Sequence, residues 1–219
     1  MSQVFIIGAA GQIGKRLVPR LHTAGHTVCG MHRGAEQADT IQSLGGKPVQ
    51  GDLQAMSVAE LADAMQGSDT VVFSAGAGGR GMDLTRAIDG KGLEKAVDAA
   101  TIAGVRRFVL VSVFPDALRG GETSEGFENY IRIKKAADAY LVDSALDWLI
   151  VRPGTLLDDP GTGRIRANAA LPYGDVPRDD VASLIAALID EPRVTRQIIE
   201  LTSGDTPIED ALDQLARRG

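Results

Sequence analysis

One cysteine, Cys29, is all that the 219 residues contain. No internal disulfide can therefore brace the fold, and a reducing compartment fits. No apolar run approaches the roughly 20 residues of a bilayer-spanning helix. The N-terminal Met-Ser-Gln leads straight into a strand-like run, with no basic segment followed by an apolar one. A secretory signal is not expected, and the chain reads as cytoplasmic. Excess positive charge is lacking too: the net charge is −6, whereas a general polyanion binder needs a basic surface. Nucleic acid and membrane are not expected partners. His22, His26 and His32 lie close together near the N-terminus, and no Cys or His group elsewhere has metal-ligand spacing, so no metal is expected.

What is present is an ordinary globular balance, 44% apolar and 24% charged residues, in a chain long enough to bury a sheet core without staples. Short β-rich runs alternate with helical periods. The strand candidates are Val4–Ile7, Thr27–Met31, Pro48–Gln50, Thr70–Phe73, Arg107–Ser112, Trp148–Val151 and Ile198–Leu201. Most are continuously apolar, as strands covered on both faces are. Ser57-Val58-Ala59-Glu60 reads as a capping box, and so does Thr206-Pro207-Ile208-Glu209, with proline at the first helical position. Ile13, Leu17 and Leu21 form one stripe of the first helix, in which Pro19 should remove a bond or cause a kink. The alternation predicts an α/β fold: a single Rossmann-type doubly wound domain over 1–219, with a mostly parallel sheet of about seven strands and helices on both faces. A short substrate-side region is expected from about residue 152.

Gly8-Ala9-Ala10-Gly11-Gln12-Ile13-Gly14 follows the first strand and opens the first helix. In that context the glycines permit a tight turn and close approach to a pyrophosphate, and the helix N-terminus directs free N–H groups at the phosphates. Gly8, Ala10, Gly11, Gln12, Ile13 and Gly14 are therefore candidate cofactor contacts. The second strand ends at His32-Arg33, and no acid occurs before Glu36. NAD sites usually offer a carboxylate there, and NADP sites an arginine that forks onto the 2′-phosphate. Arg33 therefore points to NADP(H) rather than NAD. Asp52 and Leu53 follow the third strand, where Asp52 is either an acceptor for the adenine amino group or a helix-entry acid. Ser74, Ala75 and Gly76 follow the fourth strand and would let backbone approach the cofactor.

In these motifs the chain resembles the short-chain dehydrogenase/reductase superfamily, in its atypical branch of small NAD(P)H-binding proteins. That branch includes epimerase/dehydratase-like, biliverdin/flavin reductase-like and nitrogen-repression-regulator-like members. The resemblance also rests on Ile88-Asp89-Gly90, the run Arg107–Ser112, Tyr130-x-x-x-Lys134, Val151-Arg152-Pro153-Gly154, Arg178-Asp179-Asp180-Val181 and Leu201-Thr202-Ser203-Gly204. It implies a catalytic group of Tyr130, Lys134, Ser112 and Asp89, with Asp89 where Asn is usual. Lys134 would also bind ribose hydroxyls, and Pro153 would lie beside the nicotinamide. Tyr130 and Lys134, four apart on one helix face, share a stripe with Ile133, Ala137 and Leu141. Lys134 is expected to lower the tyrosine pKa. Ser112-Val113 departs from the paired serines common in the family, which leaves the hydroxyl displaced or absent.

The leading expectation is an NADPH-dependent oxidoreductase acting on a small carbonyl-like acceptor. A non-catalytic NADP-sensing regulatory protein, with a protein partner or as a homo-oligomer, is the second. A nucleotide-sugar epimerase/dehydratase-like enzyme is the third; only about 70 residues follow Val151, a small substrate region for that chemistry. Asp158–Gly163 reads as a turn or lid, and the stretches 114–129 and 156–175 carry no diagnostic substrate chemistry.

Overall fold

The computed structural model describes residues 1–117 and 123–218. Residues 118–122, part of the substrate-lining stretch expected from sequence, lie outside them. The chain begins β1 (Gln3–Ile7), α1 (Gly14–Thr23), β2 (Thr27–His32), α2 (Ala35–Ser43), β3 (Lys47–Gln50), α3 (Val58–Met65) and β4 (Thr70–Phe73). Then come α4 (Met82–Thr85), a π-helix (Arg86–Gly92), α5 (Leu93–Ile102), β5 (Arg107–Val111), α6 (Glu125–Val142) and β6 (Asp147–Pro153). The last part is β7 (Thr155–Leu157), β8 (Arg164–Asn168), β9 (Asp175–Pro177), α7 (Arg178–Asp190), β10 (Gln197–Ser203), β11 (Thr206–Pro207) and α8 (Ile208–Ala216).

Alternation along each strand builds two cores. Val4, Ile6, Val72, Val109, Val111, Leu149 and Val151 face one way, with Leu17 and Leu21 of α1 and Leu184 and Leu188 of α7. Phe5, Ile7, Val71, Phe73, Phe108, Leu110 and Ile150 face the other, with Leu61 of α3, Val97 of α5 and Leu141 of α6. A strand buried on both faces has no polar side to show, which is why its sequence reads as an unbroken apolar run.

The main sheet has nine strands in the order β11-β8-β10-β6-β5-β4-β1-β2-β3, rather than about seven. The added strands, β8 and β11, are antiparallel at the edge beside β10, and β7 and β9 form a separate parallel pair. All seven strands expected from sequence exist. The extra ones are short and half exposed, and β8 alternates instead of running apolar. The chain order reverses between β1 and β4, which are neighbours, and at such a switch point the loops diverge and leave a crevice.

The Ser57 capping box forms as expected, with Ser57 accepting from Glu60 N and Glu60 accepting from Ser57 N. The second capping box does not. Thr206 and Pro207 pair with β8 as β11, and α8 starts only at Ile208 with no side-chain cap. Strand pairing takes the residues that a cap would have needed. Helix α1 continues through Pro19, its apolar stripe fixed by burial of Leu17, Val18 and Leu21.

Candidate functional site

A cleft of about 830 Å³ opens over the ends of β1 and β4. Its floor at one end is the glycine loop. Gly8 has φ +96°, and a Cβ there would lie 2.6 Å from Ala75 N. A Cβ on Gly14 would lie 2.3 Å from the Gly8 carbonyl oxygen. Both positions thus require glycine, the first because two loops meet there and the second because α1 packs directly on the turn. Gly14 does not line the cleft; Gly8, Ala10, Gly11, Gln12 and Ile13 do. Gln12 and Ile13 stand at the N-terminal end of α1, where the first helical amides have no partner within the helix.

Arg33, Asp52, Leu53, Ser74, Ala75 and Gly76 also line the cleft. The Arg33 amide donates to Gln37 Oε1 at 2.8 Å, which holds the β2–α2 turn. Its guanidinium makes no hydrogen bond or ion pair among the described residues. Asp52 Oδ1 accepts from Gln54 N at 2.9 Å in the turn after β3, α3 being capped by Ser57, and Asp52 still lines the cleft. Such a cleft fits a dinucleotide: small residues line the floor, an unpaired cation stands beyond the glycine loop, and a helix N-terminus lies between.

The opposite end is built from α6, β5, β6 and the π-helix. Ser124 caps α6 by accepting from Phe127 N at 3.2 Å. From there Tyr130, Lys134 and Asp138 follow at intervals of four on the inward face. Lys134 is buried; its Nζ donates to the Val111 carbonyl at 2.9 Å and lies 3.8 Å from Asp89 Oδ1. Asp89, also buried, accepts from Ala77 N at 2.9 Å through Oδ2. Ser112 Oγ donates to Asp138 Oδ1 at 2.6 Å. The other oxygen of Asp138 accepts from Arg152 Nε and Nη2 at 3.0 and 2.9 Å.

Of the predicted site residues, Tyr130, Lys134, Ser112 and Asp89 come together in this cleft, and Pro153 does not line it. Pro153 ends β6 in register with Leu201. Sequence reasoning missed Asp138, although a charge on the stripe of Tyr130 and Lys134 was a usable signal. It also missed Gln37, Arg80 and Arg178 in the lining, whereas Phe127 and Leu156 fall in the stretches 114–129 and 156–175 expected to line the pocket. The turn at Asp158 joins two elements, with Asp158 Oδ1 3.0 Å from Arg178 Nη1 and 3.4 Å from Arg16 Nη2.

The electrostatics correct one expectation. Lys134 does not lower the Tyr130 pKa here; Tyr130 is pushed well above its ordinary value, first by burial, then by the carboxylates of Asp89 and Asp138. The lysine charge is surrounded by those same two acids, and burial moves its own pKa down. A raised value favours the protonated phenol.

Among the described residues, no group of three or more His, Cys, Asp or Glu is placed to hold a metal ion. No described helix is long and apolar enough to cross a membrane.

The glycine loop at a strand-order switch, the apposed small-residue loop and the pair of half-buried Tyr130 and buried Lys134 define a dinucleotide-binding Rossmann protein. The chain belongs to the NAD(P)H-binding family, whose model matches residues 8–192, and fits the atypical short-chain dehydrogenase/reductases. A Bacillus subtilis protein described as an uncharacterized sugar epimerase, YhfK, is 40% identical over 215 residues, spanning 97% of this chain and 100% of its own length. A solved structure described as a "Putative NAD-dependent epimerase/dehydratase" from Bacillus halodurans has TM-score 0.90 and 31% identity, covering 98% of this chain and 100% of that one. ChuY, an anaerobillin reductase from Escherichia coli O157:H7, has TM-score 0.78 and 26% identity, covering 93% and 98%.

Proposed function

We infer that the chain is an NADPH-dependent oxidoreductase that reduces a small carbonyl-like acceptor, with Tyr130 as proton donor. The observation that carries this reading is the placement of Tyr130 in the lining of the cleft with Lys134 one helical turn on, where burial and two carboxylates raise the phenol's pKa. The cofactor's contribution when bound is a hydride for the acceptor carbon. Tyr130 Oη then gives its proton to the acceptor oxygen, so the C=O π bond breaks as one C–H and one O–H bond form. Lys134, anchored by the Val111 carbonyl and Asp89, orients the cofactor ribose and stabilises the phenolate left behind. Gly8 to Ile13 would hold the pyrophosphate, Ser74 to Gly76 would give the backbone room, and Leu53 would pack on the adenine. Arg33 would grip a 2′-phosphate, which would select NADPH over NADH. Residues 1–219 act as one such unit, and the part after β6 supplies Leu156 and Arg178 to the substrate side.

The test is NADPH consumption across a panel of carbonyls, quinones and flavins with wild type and Tyr130→Phe. Turnover that collapses in the variant is expected; no turnover by wild type on any member would overturn the reading. The second reading is an NADP-sensing regulatory protein without turnover. It is supported by the Ser112 hydroxyl being turned onto Asp138. Tight NADPH binding, an inert panel and a stoichiometric co-purifying protein would favour it. Epimerisation, the activity in the name of the Bacillus subtilis relative, predicts conversion of a nucleotide sugar without net NADPH loss. The small contribution of the chain after β6 to the cleft argues against it.

A further inference from the structure

Ser112 lines the cleft at the end of β5, yet its proton is directed away from any substrate. The 2.6 Å bond to Asp138 Oδ1 runs from the hydroxyl to the carboxylate. It cannot run the other way, because both guanidinium contacts from Arg152 hold Asp138 as an acceptor. Ser112 and Asp138 are both buried, so water does not compete for the pair. A serine hydroxyl has one proton and two acceptor lone pairs. With the proton fixed on Asp138, Ser112 can only accept.

The charged and titratable groups around this junction are Tyr130 and Lys134 from α6, Arg152 from β6 and Asp89 from the π-helix. Lys134 directs its donors at Val111 and Asp89, and Arg152 directs its own at Asp138. Tyr130 is thus left as the donor to the acceptor oxygen, and Ser112, in the lining of the same cleft, as a pure acceptor.

We propose that Asp138 is a positioning residue that turns Ser112 into an acceptor. The natural substrate then carries an O–H or N–H donor on the atom next to its reducible carbon. This deepens the oxidoreductase reading and rests on it. The substrate is recognised at two points of opposite sense: Tyr130 donates to the oxygen that is reduced, and Ser112 accepts from the neighbouring donor. A plain ketone or aldehyde would leave the buried Ser112 lone pairs unmatched, a cost that discriminates between otherwise similar substrates.

The test uses a ketone with that donor and its methyl ether, which lacks it, α-hydroxyacetophenone and α-methoxyacetophenone. Each is titrated by calorimetry into NADP-loaded protein and assayed for NADPH oxidation. Wild type should favour the hydroxy ketone in Kd by about tenfold, the worth of one good hydrogen bond. Ser112→Ala should bring the ratio to about one. Asp138→Asn, whose amide can donate to Ser112 Oγ, should lower or invert it. A purely structural role for Asp138 would weaken both ketones equally and leave the ratio standing. Should Asp138→Asn fail to fold, wild type and Ser112→Ala still decide. Equal binding of the two ketones by wild type, no binding of either, or a ratio that survives Ser112→Ala overturns the proposal. Selective binding with no oxidation of NADPH keeps the acceptor role of Ser112 and removes the oxidoreductase reading, and with it the placement of the donor next to a reducible carbon. Equal turnover of both ketones does the reverse.

Discussion

The two ends of the cleft are made by opposite means. At the glycine-loop end the work is done by main chain, small side chains and an arginine whose guanidinium has no partner among the described residues. At the α6 end, Ser112, Asp138, Arg152, Lys134 and Asp89 already satisfy one another in the interior. The first end is prepared to receive charge from a ligand. The second has two acids and two bases balanced before any ligand arrives, and it keeps such groups only because each has a partner. Affinity for the dinucleotide should therefore survive the loss of Tyr130 at the α6 end, and chemistry should not.

The sharpest way to break that contrast is Tyr130→Phe. Removing the proton donor should lower kcat by about 10²- to 10⁴-fold, while the Kd for NADPH by calorimetry stays within about twofold, since the ring keeps its packing. A parallel loss of affinity would mean the two ends are not separable. Next in size is Gly14→Val. The added carbons meet the Gly8 and Ala9 carbonyls, so α1 must lift from the turn, and NADPH affinity should fall by about 100-fold or more as the phosphate cradle opens. An unchanged Kd would show that the helix N-terminus does not hold the cofactor.

Arg33→Ser should weaken NADPH by about tenfold or somewhat more, the loss of a charge-assisted contact, with NADH unaffected. Equal losses for both would remove the 2′-phosphate assignment. The smallest effect concerns pH. Because burial and two carboxylates raise the Tyr130 pKa, the acid form persists above the ordinary tyrosine value of about 10, and kcat for reduction should show no alkaline fall from this group up to that pH. A raised folded-state pKa also means that its contribution to stability is intact below the unfolded value and declines as pH rises past it. That part of the alkaline drop in Tm should be missing in Tyr130→Phe.

The same contrast explains what could be read from the sequence. The glycine-loop end is local: Gly8 to Gly14, Arg33 and Ser74 to Gly76 each follow a strand, so chain order alone brings them to one edge of the sheet. The long apolar strands were legible because burial on both faces leaves one kind of residue. By contrast, β8 and β11 are short and half exposed, and the pairing of β8 with β10 and of β11 with β8 joins residues far apart in the chain. That same pairing made Thr206 a strand residue instead of a cap. At the α6 end Tyr130 and Lys134 could be found from their spacing. The side-chain partner of Ser112 could not, because the bond spans 26 residues and depends on where α6 lies against the end of β5. The direction of the Tyr130 shift failed for the same reason. A sequence shows that a lysine is four residues away, but not that two carboxylates already surround it.

Asp89 owes its place to the widened turn of the π-helix between Arg86 and Gly92, a geometry that one surplus residue in an α-helix produces. Excising one residue there, Ala87 for instance, would restore ordinary winding and rotate the carboxylate by about 100° about the helix axis. The glycine loop and the sheet would be untouched, but Lys134 would lose its buried counter-charge. Helix length by itself can thus act as a tuning variable for the field around the phenol, open to change by a single codon.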